Sequence, residues 1–274
     1  MKVALIVLLL PYAWCYLYTG MTLAMNYYYC RRYSPSSLAG ALAYLRVFIV
    51  ESNHFALLLA VRLLPFPRPR VRTEEGPGAP IVFCHGYTMD GSCFFMLKRR
   101  LRRAGYGNFH SVSLKRLFAP IDELAARFAD DLRAVLAADP GARLRIVAHS
   151  MGGLVARAAL RDRSLASRVD LLITLGSPHH GTPVARYAPG RNARDMEPGS
   201  SFLATLGNLP VPVVSIYSRT DNLIFPHSNS IVGGAENIEV SLAGHMGMIV
   251  SADVGREVSD ALARSARVPE PSLV

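Results

Sequence analysis

The sequence predicts a mostly parallel six-stranded α/β sheet with helices on both faces, preceded by an amino-terminal helical membrane segment. Three observations carry that prediction. From Ala79 onward, short apolar runs alternate with amphipathic stretches, the pattern of parallel strands joined by helical crossovers. Residues 148–153, Ala-His-Ser-Met-Gly-Gly, stand between a β-prone run and a helix-prone one. From Val3 to Cys30 there is no charged residue, 28 positions in succession, against the roughly 20 needed to cross a bilayer.

The predicted strands are Ile81–Cys84, His110–Ser113, Arg145–Ala148, Leu171–Thr174, Val213–Tyr217 and Ile238–Ser241. Helices are expected over Phe94–Arg103, Ile121–Ala138, Gly153–Asp162 and Met248–Ser265. In the second of these, Ile121, Leu124, Ala125, Phe128, Leu132, Val135 and Leu136 recur at helical spacing and define a core-facing side. No internal repeat interrupts the pattern, and the strands leave no room for a large cap domain.

At 51% hydrophobic and 18% charged residues, the chain is more apolar than an ordinary soluble domain, and the excess lies at its start. The uncharged run carries Tyr12, Trp14, Tyr16, Tyr18 and Tyr27 to Tyr29, aromatics that favour the membrane interface. A cleaved signal peptide is the competing reading, with Thr22-Leu23-Ala24 as its cleavage site. Apolar and aromatic residues continue past that point, which favours a retained anchor. A second apolar stretch, Leu38 to Leu64, is interrupted by Arg46, Glu51, Asn53, His54 and Arg62. Charges central in a span cost about 2.5–3.5 kcal/mol each, so this stretch reads either as a second span or as a helix lying in the interface. Basic residues follow both segments, and orientation stays open. The expected organisation is a membrane-anchoring segment over 1–65, a Pro/Arg-rich linker over 66–78, a catalytic α/β domain over 79–265 and a tail over 266–274. The expected location is a membrane, the inner one of a bacterium, with the side unresolved.

Net charge is +10. The run Lys98-Arg99-Arg100-Leu101-Arg102-Arg103 suits anionic headgroups or a solvated helix face, and no recognition motif accompanies it to suggest nucleic acid. Four cysteines with no metal-ligand or disulfide spacing read as buried thiols.

The pentapeptide Ala148-His149-Ser150-Met151-Gly152 is a G-x-S-x-G-type turn with alanine in the first position. A serine between a strand and a helix sits on a sharp turn with its hydroxyl at the carboxyl edge of the sheet. A hydroxyl is a weak nucleophile at neutral pH and needs a base, with a carboxylate to orient that base. In an open parallel sheet these follow in the order serine, acid, histidine. Asp221 comes just after the strand Val213–Tyr217, and His245 just after the last strand, in Ala-Gly-His-Met-Gly. The developing oxyanion needs backbone donors. One is the Met151 amide, and the other is the Tyr87 amide in the turn His85-Gly86-Tyr87-Thr88 after the first strand. Asp195 and Glu197 are reserve acids in a loop without a strand to position them. His85 reads as structural, His149 as packed beneath the turn, and His179 and His180 as bordering the cleft without further metal ligands.

With these residues in view, positions 79 to 265 resemble an α/β-hydrolase of the lipase/esterase type, with most likeness to the small bacterial triacylglycerol lipases. His85-Gly86, Ala148–Gly153, Gly176-Ser177-Pro178-His179-His180-Gly181-Thr182-Pro183, the Tyr217–Asp221 segment and Gly244-His245 carry the resemblance. It implies hydrolysis of lipid or other acyl esters through an acyl-serine, without cofactor or metal. Ser150, Asp221 and His245 would form the triad, and Tyr87 and Met151 would donate to the oxyanion. An acyltransferase with the same triad, or an inactive hydrolase-fold scaffold, remain the alternatives. The chain departs from the small lipases in its first 65 residues and in the longer Arg186–Leu206 stretch. There Asp195-Met196-Glu197-Pro198-Gly199-Ser200 resembles a segment of larger lipase-like and GPI-deacylase-like hydrolases, and a lid over 186–206 stays open.

Overall fold

The computed structural model describes residues 2–64 and 69–265. Residues 65–68, which end the expected anchoring segment and begin the linker, and the tail 266–274 lie outside the described residues. Two helices, α1 (Lys2–Tyr33) and α2 (Ala41–Leu63), form an antiparallel hairpin ahead of the sheet. Then come β1 (Val71–Glu74), β2 (Ile81–Cys84), α3 (Phe95–Arg103), β3 (Phe109–Val112), α4 (Ile121–Ala138), β4 (Leu144–His149) and α5 (Met151–Ala159). The chain continues through α6 (Arg163–Ala166), β5 (Val169–Leu175), α7 (Arg191–Asp195), α8 (Ser201–Ala204), β6 (Val213–Tyr217), β7 (Glu236–Glu239), α9 (Gly247–Val250) and α10 (Ala252–Ser265).

The sheet runs β1-β3-β2-β4-β5-β6-β7 and is parallel except for β1. All six expected strands are present, within two residues of the predicted starts. The seventh is Val71–Glu74, which the sequence placed in a linker. It pairs antiparallel with β3, Val71 opposite Val112 and Glu74 opposite Phe109. Edge strands carry charge, and here Glu74 takes Lys98 and Arg102 of α3 as partners. The basic run is therefore not a uniform solvated face, since Lys98 points inward at 5% exposure and burial pushes its pKa down to about 8.

Strand side chains alternate between the two faces, as a period of two requires. Val82, Cys84, Ile146, Ala148 and Leu172 pack with α4 and α5 on one side. Ile81, Phe83, Val147, Leu171, Ile173 and Leu175 pack with α3, α9 and α10 on the other. All seven apolar positions expected on the inner side of α4 are buried. The last predicted helix is broken: Ser251 is extended (φ −60°, ψ 144°) and separates α9 from α10. All four cysteines are free and buried.

The hairpin has its polarity inverted. Along α1, the stripe Leu10, Trp14, Leu17, Met21 and Tyr28 is exposed, Trp14 at 55% and Leu17 at 66%. The opposite stripe, Cys15, Thr19, Thr22, Asn26 and Cys30, is buried. On α2, Glu51 and Ser52 are buried while Leu42, Leu45 and Ile49 face outward. Ala41–Leu63 is long and apolar enough to cross a membrane, with a mean hydropathy of 1.4. Its inner face is already occupied, because Leu58 joins the sheet's core and Arg62 pairs with Asp90 at 2.6 Å.

Candidate active site

Register brings the site together at the carboxyl edge of the sheet. Cys84 of β2 lies opposite Ala148 of β4, so the turns after these strands, His85-Gly86-Tyr87 and His149-Ser150-Met151, emerge side by side. Leu175 of β5 pairs with Ile216 of β6, and Tyr217 of β6 with Glu239 of β7. The loops carrying Asp221 and His245 therefore leave the same edge.

Ser150 has φ 55° and ψ −129°. This left-handed backbone, costly for a residue with a Cβ, turns the chain from β4 straight into α5. The Ser150 amide donates to Leu175 O at 2.9 Å, and the Gly153 amide to Ser150 O at 3.0 Å, which closes the turn. Gly86 permits the approach, since a Cβ there would stand 2.7 Å from that of Ser150. Ser150 is 7% exposed, and its Oγ makes no hydrogen bond among the described residues. The Tyr87 and Met151 amides likewise have no acceptor among the described residues, leaving both donors free beside Ser150.

Asp221 and His245 are paired. The Nδ1–H of His245 donates to Asp221 Oδ2 at 2.9 Å and Oδ1 at 3.0 Å, which leaves Nε2 as the acceptor nitrogen. The amides of Leu223 and Ile224, each at 2.9 Å, hold Asp221 Oδ1 from the other side. Gly176, at φ 52°, makes room for the carboxylate: a Cβ there would stand 2.7 Å from Asp221 Oδ2. Both residues are nearly inaccessible. Burial lowers the His245 pKa, but the charge and hydrogen bond of Asp221, then the charge of Glu51, outweigh it, and the net direction is upward from 6.5.

His149 ties the Ser150 turn to His245. Its ring packs on that of His245, centroids 4.7 Å apart, and its Nε2–H donates to His245 O at 3.1 Å. Burial first, then the neighbouring His245, pushes its pKa well down, so it is a neutral spacer. His85 is structural as expected. Its Nδ1 meets Gly86 O at 2.8 Å, its Nε2 accepts from the Leu114 amide at 2.8 Å, and burial lowers its pKa to about 4. His179 lies between Arg157 of α5 and Thr174 of β5, bracing α5 against the sheet. Asp195 accepts from the Ile121 amide at the start of α4, and Glu197 lies 3.9 Å from Arg186. Both reserve acids are thus occupied elsewhere.

Sequence reasoning missed the ring of polar groups that holds these loops. Asn222 Oδ1 accepts from the His245 amide at 3.0 Å, while its Nδ2 donates to Thr22 Oγ1 of α1 at 2.7 Å. Thr220 Oγ1 donates to Ala243 O at 3.2 Å. Asn26 of α1 donates to Asp221 O at 2.8 Å. Asn26 and Thr22 had one legible signal, being polar residues on one helical stripe of an otherwise apolar run. A groove of about 430 Å³ opens between α1 and the segment after β5, lined by Met25, Tyr28, Tyr29, Arg186, Tyr187 and Phe225 among others.

Residues 137–188, from the end of α4 through the turn after β5, match the family model described as a PGAP1-like alpha/beta domain. Among solved structures, Aspergillus fumigatus lipase B superposes with a TM-score of 0.67 at 15% identity, over 82% of this chain and 73% of that one. The mature form of the Bacillus licheniformis lipase BlEst2 gives 0.58 at 18%, over 73% and 94%. A thermophilic esterase from Thermogutta terrifontis gives 0.52 at 16%, over 71% and 93%. The chain has the α/β-hydrolase fold.

Proposed function

We propose that this chain is a membrane-apposed serine ester hydrolase acting on lipid or other acyl esters. The observation that carries the reading is the His245–Asp221 pair, with Nδ1 committed to the carboxylate, at the sheet edge where Ser150 is held on its strained turn. The neutral imidazole takes the proton of Ser150 Oγ through Nε2 as the oxygen attacks the ester carbonyl. The Tyr87 and Met151 amides receive the oxyanion, where one such donor contributes about 2.7–4 kcal/mol. His245 then passes the proton to the leaving alcohol, and water activated by the same nitrogen releases the acid. The hydrogen bond between Ser150 Oγ and His245 Nε2 forms when substrate binds, since catalytic hydrogen bonds are often unmade or poorly aligned in a free enzyme. An acceptor alcohol in place of water would make the same site an acyltransferase, and product analysis with added alcohols separates the two.

His245 works only when neutral, and the fold raises its proton affinity. The groups facing it are Asp221 from the loop after β6, Glu51 from α2 and His149 from the end of β4. The kcat/KM for a p-nitrophenyl ester is therefore expected to climb along a one-proton limb centred above 6.5. A limb centred below that value would contradict the reading.

The inverted hairpin supports a site that works against a bilayer. Water would drive a stripe such as Leu10, Trp14, Leu17 and Met21 inward, whereas here the polar stripe faces the protein. Because the inner face of α2 is docked on the sheet domain, the hairpin lies with its outward stripe in the apolar phase. Trp14 is the sole tryptophan. Its fluorescence is expected to shift to shorter wavelength on mixing with vesicles and to be quenched by brominated acyl chains. Unchanged emission would remove the membrane from the account.

A further inference from the structure

Glu51 stands midway along an apolar helix, yet it is 2% exposed. Its carboxylate accepts the backbone amides of Met246 and Gly247, the latter at 2.9 Å. These are the two residues that follow His245, and α9 begins there. A buried carboxylate is costly unless it is fully hydrogen-bonded, and here two orphan amides of a helix start satisfy it. The base loop is shaped to receive it, because a Cβ at Gly244 would stand 2.5 Å from Glu51 Oε2. The acid loop is gripped from the same hairpin. Tyr44 of α2 donates to Asn26 at 2.7 Å, Asn26 donates to Asp221 O, and Thr22 takes Asn222. A helix that only tethered the chain would need none of these groups.

We propose that the amino-terminal hairpin is part of the catalytic apparatus, with Glu51 a positioning residue that holds the Met246 and Gly247 amides and so keeps the His245 imidazole on Asp221. This rests on Ser150, His245 and Asp221 acting as a triad. The hairpin is then a two-sided device, its outer stripe reading the lipid surface and its inner stripe fixing the acid and base loops. Glu51 also faces His54, with Nδ1 at 3.9 Å, and Tyr18. Its charge favours the protonated form of His245.

The test uses the full-length protein, with kcat expressed per site counted by the p-nitrophenol burst. In Glu51→Gln, one amide keeps an oxygen acceptor while the other meets an NH2 group. The expected result is a kcat loss of tenfold or more, KM within twofold, and an acid limb moved to lower pH because a negative charge near His245 is gone. Gly244→Ala, which displaces the carboxylate sterically, should lower kcat in the same way. Combined with Glu51→Gln it should add little, since both act through one contact. A Glu51→Gln enzyme with wild-type kcat and an unmoved acid limb overturns the proposal, as does a double variant whose losses multiply. If Glu51→Gln does not fold, Gly244→Ala decides alone, and wild-type kcat and pH profile in it overturn the proposal. A burst that persists in Ser150→Ala sinks the triad itself. A burst lost in Ser150→Ala alongside an unaffected Glu51→Gln sinks only the positioning role.

Discussion

Ser150→Ala is expected to lower kcat for p-nitrophenyl acyl esters by about 10⁶, the scale seen when a triad serine is removed. The residual rate comes from the Tyr87 and Met151 amides and from binding, which by themselves give about 10³–10⁴ over water. The fold should survive. Ser150 Oγ has no hydrogen-bond partner among the described residues to be orphaned, and alanine pays no greater steric penalty than serine at φ 55°. A thermal melt within a degree or two of wild type, beside the lost turnover, is the result that separates chemistry from folding. An alanine variant with wild-type turnover would move the nucleophile elsewhere.

Asp221→Asn is expected to lower kcat by about 10⁴. The asparagine Oδ1 can still accept the Leu223 and Ile224 amides that now reach Asp221 Oδ1, so the loop stays in place. What changes is the face toward His245, where an NH2 group replaces a carboxylate oxygen. That group favours a lone pair on Nδ1 and drives the proton to Nε2, the nitrogen that must receive the proton of Ser150. The pH profile gives a second signature. Asp221 raises the pKa of His245 by charge and hydrogen bond, so the acid limb of the variant should move to lower pH as the rate falls. A rate loss with an unmoved limb would mean that Asp221 acts on something other than the imidazole.

The parts of the site that ride on strands were legible in the sequence. Ile81–Cys84, Arg145–Ala148 and Val213–Tyr217 are short, mostly apolar runs whose side chains alternate between the two faces, and each ends a few residues before a proposed site residue or donor. The strand that ends just before it favoured Asp221 as the candidate acid over Asp195, which follows no strand and whose carboxylate caps α4. Local pattern failed where the deciding partner is distant. Val71–Glu74 has two charges in four residues and becomes a strand only because β3 lies beside it. Ser251 breaks the final helix without glycine or proline, and its one local signal is that of an N-cap, its Oγ accepting from the Asp253 amide at 3.2 Å. Glu51 read as a costly charge in an apolar span because its acceptor role involves amides 195 and 196 residues away. The expectation of an anchor and the proposal of a clamp share one physical origin, a helix apolar on the side that a soluble protein would make polar.

The most direct test of the central claim is covalent labelling of the full-length protein in vesicles with a fluorophosphonate, followed by mass mapping of the adduct. The account predicts a single adduct on the peptide carrying Ser150, formed more slowly as pH falls and His245 is protonated. An unlabelled protein, or an adduct confined to any other serine, would contradict it.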